Sequence, residues 1–155
     1  MDNVFYYETP LGIVGISEKD GKITHLEFSH EKFNGKEYEI KETRILKEGA
    51  FQLKEYFEGK RRNFDLPLAP AGTEYMLRVW NALQEIPFGE TRSYKEIAIM
   101  TGNPKACRAV GMANNRNPIS IFIPCHRVIG ANGELVGYGG GLDKKRFLLE
   151  LEKLK

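Results

Sequence analysis

The chain has few cysteines, no long apolar run and no cluster of metal-binding residues. Each absence excludes a class of protein. Only Cys107 and Cys125 occur among its 155 residues, so it is not a disulfide scaffold, and a reducing cytoplasm suits it. No stretch approaches the roughly 18 apolar residues of a membrane span, and the first ten residues lack the pattern of a secretory signal. The three histidines are scattered along the chain, and neither a C-x-x-C nor an H-x3-H pair occurs. We therefore expect no metal, no other cofactor and no membrane association.

Composition indicates an ordinary globular protein with uneven charge. With 41% hydrophobic and 28% charged residues, a chain of this length can bury one full core or two small ones. The net charge is +2, but residues 1–90 carry 12 basic and 16 acidic side chains, whereas residues 91–146 carry nine basic and three acidic ones. A local excess of positive charge attracts phosphate backbones. We interpret the basic segment as a candidate nucleic-acid-binding surface, and the alternative is an ordinary solvated charged surface.

The first 60 residues predict a small sheet followed by a helix. Alternating apolar residues and turn signals mark three strands, at Val4–Tyr7, Ile13–Ser17 and Ile23–Phe28. Asp20-Gly21 is typical of a hairpin turn. Residues 29–41 are polar, and we interpret them as a loop. Thr43–Phe57 has the apolar spacing of an amphipathic helix, and Gly59 follows as a stop signal.

The remainder predicts a second, mostly helical domain. Residues 60–72 contain two prolines and a closing glycine, so we interpret them as a linker between domains at 1–70 and 73–155. Helices are predicted at Thr73–Gln84, Tyr94–Thr101, Pro104–Asn115 and Asp143–Leu154. The second and third of these, joined through Gly102, form a helix-turn-helix pattern. Ala131–Gly133 is a predicted turn that can form a wing beside this pair. On the last helix we expect Phe147, Leu148, Leu151 and Leu154 to face inward.

Residues 121–129, reading I-F-I-P-C-H-R-V-I, contain the most informative motif. The apolar run predicts a buried extended segment, which Pro124 interrupts. Cys125 then follows at a defined point with His126 and Arg127 beside it. Thiols become reactive when positive or proton-accepting neighbours lower their pKa. The sequence therefore favours a reactive Cys125, and inert packing of a small side chain is the alternative.

This motif and several others resemble the O6-alkylguanine-DNA alkyltransferases. The matching elements are P-C-H-R-V at 124–128, Tyr94, G-N-P-K-A at 102–106, R-A-V-G at 108–111, Asn117-Pro118, G-Y at 137–138 and G-G-L at 140–142. They cover most of the second half of the chain. The resemblance implies an α/β protein with a small N-terminal ribonuclease H-like sheet domain and a mostly helical, winged-helix-like C-terminal domain. It also implies direct DNA repair, in which one alkyl group, mainly methyl, moves irreversibly from O6 of guanine to the protein.

The resemblance assigns the catalytic roles residue by residue. Cys125 is the nucleophile and alkyl acceptor, and His126 is a base that reaches it through a water molecule. Glu152 orients His126, whereas a surface acid is the alternative interpretation of that residue. Tyr94 donates a proton to the guanine ring, or else simply packs on the core.

The resemblance also implies a DNA interface and a substrate pocket. Arg108 is the arginine finger that replaces the extruded base. Further DNA-binding residues are Lys105, Ala106, Ala109, Gly111 and Arg116. The pocket and its hinge comprise Asn117, Val128, Tyr138, Gly139 and Lys145, although Lys145 can also be interpreted as a solvated helix-start residue. We expect Cys107 to be a small buried side chain.

Two rival functions belong to other classes. A helix-turn-helix protein that binds alkylated DNA or regulates transcription without catalysis needs no cysteine at position 125. A cysteine hydrolase needs an oxyanion hole, for which the sequence offers no signal. We therefore expect a monomeric, cytoplasmic alkyltransferase acting on double-stranded DNA that carries O6-alkylguanine, with O4-methylthymine as a further candidate substrate.

Overall fold

A computed structural model describes residues 1–34, 37–138 and 140–153 of the chain. The chain divides into two compact units. The first comprises Met1–Ala71 with Pro118–Phe122, and the second comprises Gly72–Asn117 with Ile123–Lys155. The α/β class is confirmed, but the return of Pro118–Phe122 to the first unit was not foreseen from the order of the chain. Among the described residues, no helix is both long and apolar enough to cross a membrane.

The first unit is built on a four-stranded sheet. Its strands are β1 (Asp2–Thr9), β2 (Gly12–Lys19), β3 (Lys22–Glu27) and β4 (Tyr38–Ile40), in the order β3-β2-β1-β4. The first three pair antiparallel, as predicted, and Asp20 and Gly21 both have positive φ in the hairpin turn. The predicted loop at 29–41 was wrong, because it contains a short 3₁₀ helix and β4, which pairs parallel to β1. A strand of only three residues is too short to give a detectable alternation.

Helix α1 (Arg44–Phe57) packs against this sheet through Leu46, Leu53 and Tyr56. It ends at Phe57 as predicted, and the stop signal Gly59 has a φ of 78°, in the left-handed region. The Gly59 amide donates to the Tyr56 carbonyl at 3.1 Å. That bond satisfies one of the carbonyl groups that a helix end leaves open.

Two later segments pair with the outer edge of β3. Ile23 donates its amide to the Pro67 carbonyl at 2.9 Å, so the predicted linker is anchored to the sheet. Leu26 likewise donates to Pro118 at 2.9 Å. These bonds cover an otherwise open strand edge, and they explain why Pro118–Phe122 belongs to the first unit.

In its described residues, the second unit contains four α-helices and a two-stranded parallel sheet. The helices are α2 (Glu74–Leu83), α3 (Tyr94–Met100), α4 (Cys107–Asn115) and α5 (Leu142–Lys153), and the strands are β5 (Arg92–Ser93) and β6 (Val128–Ile129). Thr73 caps α2 through a bond from the Met76 amide, and Ser93 forms a capping box with Glu96 at the start of α3. The helix pair α3–α4 and the turn at Ala131–Gly133 follow the prediction.

Two details of these helices differ from the prediction. Helix α4 begins at Cys107 rather than Pro104, because Asn103 closes a separate turn in which its carbonyl accepts the Ala106 amide at 3.0 Å. On α5, the predicted inward residue Phe147 is 38% exposed, whereas Lys145, Leu148 and Glu152 are buried. The pattern of apolar residues on α5 therefore misled the prediction, since its inner face carries two charged side chains. Leu154, also predicted inward, lies outside the described residues.

Candidate active site

Consecutive tight turns hold Cys125 in the interior of the second unit. Pro124, with φ −80° and ψ 64°, is the centre of an inverse γ-turn in which the Cys125 amide donates to the Ile123 carbonyl at 2.8 Å. A 3₁₀ turn over Cys125–Arg127 follows directly. The predicted burial of this segment is confirmed, since Cys125 is only 3% exposed. The apolar run is not extended at its start, because Ile121 has a φ of 72°, in the left-handed region.

His126 and Glu152 form a buried hydrogen bond. His126 Nε2 lies 2.7 Å from Glu152 Oε2. The Gly89 amide also donates to Oε1 of the same carboxylate, at 3.1 Å. Glu152 is therefore a buried residue, and the alternative of a surface acid was wrong.

Arg127 completes this arrangement through a contact with Glu152 that the sequence analysis did not predict. Its Nε and one terminal nitrogen contact the two Glu152 oxygens at 2.9 and 3.0 Å. The other terminal nitrogen donates to the Ile86 carbonyl at 2.7 Å, and the guanidinium lies 5.8 Å from the centre of the Phe88 ring. Burial alone would raise the pKa of Glu152, but His126 and Arg127 outweigh it and hold that pKa well below its ordinary value. An arginine beside a motif histidine was the only sequence signal for this contact.

The ionised carboxylate determines which nitrogen of His126 carries hydrogen. Because Glu152 only accepts, His126 Nε2 must donate, and Nδ1 of the neutral ring is then an acceptor. Burial lowers the pKa of His126, and the opposing effect of Glu152 does not restore it. The imidazole is thus neutral at physiological pH, with Nδ1 available as a base. Among the described residues, Nδ1 has no hydrogen-bond partner.

Tyr94 and Lys145 meet at one carbonyl of the segment before Tyr138. The Tyr94 hydroxyl donates to the Val136 carbonyl at 2.8 Å, and Lys145 Nζ reaches the same oxygen at 2.9 Å. Lys145 also donates to the carbonyls of Val128 at 2.6 Å and Gly137 at 3.2 Å. Its side chain is completely buried, so the interpretation as a solvated residue was wrong.

The pKa values of Tyr94 and Lys145 both depend on the charge of the Cys125 thiol. Burial raises the pKa of Tyr94, and a negative charge at Cys125 raises it further. Burial lowers the pKa of Lys145 to about 8, and the same charge at Cys125 opposes that shift. Tyr94 and Lys145 are therefore both close enough to Cys125 for its ionisation to affect them.

Two asparagines tie backbone carbonyls of the cysteine segment to the end of α4. Asn117 Nδ2 donates to the Ile123 carbonyl at 2.8 Å, as expected for a residue that joins the helix pair to this segment. Asn114 Nδ2 donates to the Cys125 carbonyl at 3.3 Å. No sequence pattern pointed to Asn114, because a polar residue near a helix end is usually solvated.

The outer face of α4 and its preceding turn is exposed and basic. Exposed residues of this segment include Lys105, Arg108, Ala109, Met112 and Arg116. Ala106 and Gly111 are half-buried, and a Cβ at position 111 would lie 3.8 Å from the Tyr94 ring. Cys107 is exposed at the start of α4, so the prediction that it is buried was wrong.

The remaining predicted pocket residues are only partly described. Val128 and Tyr138 are buried, whereas Gly139 lies outside the described residues. Gly137 has a φ of 64°, and a Cβ there would come within 2.8 Å of Asn115 Oδ1, so this loop lies directly against the end of α4. Within the described ranges, no group of three acidic, histidine or cysteine side chains is arranged to hold a metal ion.

A helix-turn-helix with an exposed basic face and a buried cysteine beside a histidine–carboxylate pair defines a DNA-binding protein with a reactive thiol. Two family models match the chain. The 6-O-methylguanine DNA methyltransferase DNA-binding domain matches residues 74–154, and the ribonuclease-like domain of the same protein class matches residues 5–70.

Individual proteins are similar over nearly the whole chain. Methylated-DNA–protein-cysteine methyltransferase of Methanosarcina acetivorans is 50% identical over 148 residues, covering 94% of this chain and 95% of that protein. The constitutive enzyme of Bacillus subtilis is 50% identical over 153 residues, covering 95% and 93%. A crystal structure of Mycobacterium tuberculosis OGT in complex with DNA has a TM-score of 0.90 at 43% identity, covering 98% of this chain and 93% of that one. The chain belongs to the 6-O-methylguanine DNA methyltransferase family and is an enzyme of the methylated-DNA–protein-cysteine methyltransferase class. The resemblance, the enzyme class and DNA binding are thereby confirmed.

Proposed function

We propose that the protein repairs O6-alkylguanine in double-stranded DNA by a single transfer of the alkyl group to Cys125 Sγ. The observation that carries this proposal is the His126–Glu152 pair beside the buried cysteine, with its 2.7 Å contact. A thiol needs a base to become a strong nucleophile. His126 Nδ1 is that base, because Nε2 is committed to a carboxylate that stays ionised.

The reaction is an in-line displacement at the alkyl carbon. The thiol proton passes through a water molecule to His126 Nδ1, and Sγ forms a bond to the carbon as the bond from carbon to guanine O6 breaks. The electron pair of that bond remains on guanine, and Tyr94 donates the proton that neutralises the ring. Burial keeps Tyr94 protonated at neutral pH, as a donor requires. The thioether product has no route back to a thiol, so each molecule acts once.

On the DNA side, the damaged base must leave the duplex before Sγ can reach it. Extrusion costs a few kcal/mol, and less for a mispaired base. Arg108, exposed on α4, is the proposed finger that fills the gap, and Lys105 and Arg116 contact phosphates. The small side chains of Ala109 and Gly111 suit close approach in the minor groove. We further propose that the protein acts as a monomer in the cytoplasm, where two free thiols persist.

Intact-mass measurement tests the transfer. After incubation with a duplex containing O6-methylguanine, the wild-type protein should gain one methyl group at Cys125 and keep it. A parallel duplex containing O4-methylthymine tests the second substrate. Cys125→Ser should gain no methyl group yet still bind the methylated duplex, whereas Cys107→Ser should react like the wild type. Methylation at Cys107, or of the Cys125→Ser protein, would contradict the assignment.

The same measurement separates the two rivals. A protein that binds lesions without catalysis gains no mass. A hydrolase gains an adduct and then loses it on standing. The presence of Cys125 beside a base argues against the first, and the sequence carries no signal of the oxyanion hole that the second requires.

A further inference from the structure

Two buried polar atoms lie on residues that adjoin Cys125 and have no hydrogen-bond partner among the described residues. They are Asn114 Oδ1 and His126 Nδ1. Asn114 is 2% exposed and His126 is fully buried. Buried polar atoms are almost always bonded, either to protein groups or to ordered water. Both atoms therefore require a donor that the described protein groups do not provide.

The orientation of the Asn114 amide follows from its neighbour. The Cys125 carbonyl can only accept, so the nitrogen of the amide must face it, as the 3.3 Å contact shows. This leaves Oδ1 as an acceptor on the other side of the amide. The helix beneath is well anchored, because Trp80 Nε1 donates to the carbonyl of the preceding residue, Ala113, at 2.8 Å.

Asn114 Oδ1 and His126 Nδ1 are both acceptors, so they cannot bond to each other. A water molecule carries two hydrogens, and buried water typically makes about three hydrogen bonds to polar groups. One water between the thiol and His126 can donate to Nδ1 and to Oδ1 while it accepts from the thiol. A single molecule thus satisfies all three groups around Cys125.

We propose that Asn114 is a positioning residue for alkyl transfer, whose Oδ1 accepts one hydrogen of the water molecule that carries the Cys125 proton to His126. This inference rests on the proposed function. Before transfer, the water accepts from the thiol and donates to Nδ1. During transfer the S–H bond breaks and an O–H bond forms, while another O–H bond breaks and Nδ1 gains hydrogen. The hydrogen held by Asn114 stays in place throughout, so the water keeps its alignment.

A double-mutant cycle with His126 tests this role. Asn114→Leu keeps a similar side-chain volume and removes both Oδ1 and the Nδ2 donor to the Cys125 carbonyl. The cycle separates the two losses, because only the loss of Oδ1 should depend on His126. In single-turnover reactions with O6-methylguanine duplex at saturating DNA, it should slow transfer about tenfold at neutral pH, the size expected for one lost hydrogen bond. The pH–rate profile should shift to higher pH, because hydroxide then replaces the relay. In His126→Gln protein, which lacks the Nδ1 base, adding Asn114→Leu should change the rate less than about twofold.

A purely structural role predicts a different pattern. If Asn114 only ties α4 to the Cys125 carbonyl, Asn114→Leu should slow both backgrounds by the same factor and leave the pH–rate profile unshifted. That result overturns the inference. Thr101→Val is the matched control, because it removes a buried hydroxyl bonded to carbonyls of α3 in the same unit. It should leave the pH–rate profile of transfer unchanged.

Folding and the proposed function are checked separately. Trp80 fluorescence reports whether the end of α4 is intact in each variant. If Asn114→Leu does not fold, Asn114→Ala, which relieves any clash, takes its place in the cycle with the same expected outcomes. Failure of the wild-type protein to gain methyl at Cys125 overturns the proposed function. If the wild-type protein does gain methyl but the effects of Asn114→Leu and His126→Gln on the rate are additive, only the proposed role of Asn114 is overturned.

Discussion

Glu152 Oε2 lies 2.7 Å from His126 Nε2, and both side chains are withdrawn from solvent. An ion or polar group in such a place is stable only when its partners are complete. Arg127 and the Gly89 amide supply the remaining donors to the carboxylate. The pair is therefore part of the core of the second unit and, at the same time, determines which nitrogen of His126 carries hydrogen.

Glu152→Gln should damage both stability and transfer. A neutral amide leaves the buried Arg127 guanidinium without its counter-charge, which should cost about 3–5 kcal/mol in the free energy of unfolding. Transfer should slow by roughly a hundredfold, because the hydrogen on His126 is no longer fixed. Urea unfolding and single-turnover kinetics measure the two effects. Glu150→Gln, on the exposed face of the same helix, is the control and should change neither. Equal behaviour of the two variants would remove Glu152 from the relay.

Acid should remove the stability that this cluster supplies, in two pH windows. The folded pKa of His126 is lowered, so the unfolded chain binds its proton first and stability falls as the pH drops below about 6.5. The folded pKa of Glu152 is also lowered, so its contribution is complete above about pH 4.3 and declines as the pH falls below that value. Thermal unfolding of wild type, His126→Gln and Glu152→Gln between pH 3 and 8 checks this. The stability advantage of wild type over Glu152→Gln should shrink below about pH 4.3, and a constant difference would contradict it.

Sequence patterns predicted the elements whose signals are local. Asp20-Gly21, Gly59, Thr73 and Ser93 each specify a turn or cap within a few residues, and the structure follows them. The short strand β4 was missed because its pairing partner, β1, lies more than 30 residues earlier in the chain. Its three residues are too few to establish an alternation.

In the candidate site too, residues in a local motif were predicted, whereas features that depend on distant parts of the chain were not. The P-C-H-R motif located Cys125 and His126, because adjacent residues identify that motif. Burial of Lys145 and Glu152 was invisible, since charged residues on a helix are solvated in most proteins. Those two charged side chains are stable in the interior because residues packed against α5 bond to them. The Val128 carbonyl accepts from Lys145, and the imidazole of His126 bonds to Glu152. The exposure of Cys107 likewise depends on where α4 begins, a boundary that local sequence placed three residues too early.

Lys145→Met should loosen the segment that carries Val136 and Gly137. The ammonium group donates to three carbonyls, at Val128, Val136 and Gly137, and methionine donates to none. Hydrogen–deuterium exchange of residues 134–138 should accelerate, and transfer should slow about tenfold through the loss of hydrogen bonds to a charged donor. Lys153→Met, at an exposed position of the same helix, is the control. Unchanged exchange in Lys145→Met would show that the segment is held by other contacts.

DNA affinity should fall with salt and depend little on undamaged sequence. The basic residues between positions 91 and 146, apart from the buried Arg127 and Lys145, supply the charge. Each neutralised phosphate adds about 0.9 to the slope of log affinity against log salt. Arg116→Ala should therefore reduce that slope by about one. Lys60→Ala, an exposed position in the first unit, should leave it unchanged. A strong preference for one undamaged sequence would instead favour a transcriptional regulator.

Arg108→Ala should slow repair within a duplex far more than reaction with free O6-benzylguanine, provided that the free base is a substrate. The free base needs no extrusion, so the cost of unstacking, a few kcal/mol, applies to the duplex reaction alone. Arg108 is exposed on α4, and the contacts that organise Cys125, His126 and Glu152 do not involve it. The ratio of the two rates therefore isolates the finger. Saturating DNA removes any contribution from weaker backbone binding, and Arg116→Ala, which also removes an exposed positive charge, should leave the ratio unchanged. Equal slowing of both reactions would mean that Arg108 supports the fold or the pocket, and its role in base extrusion would have to be abandoned.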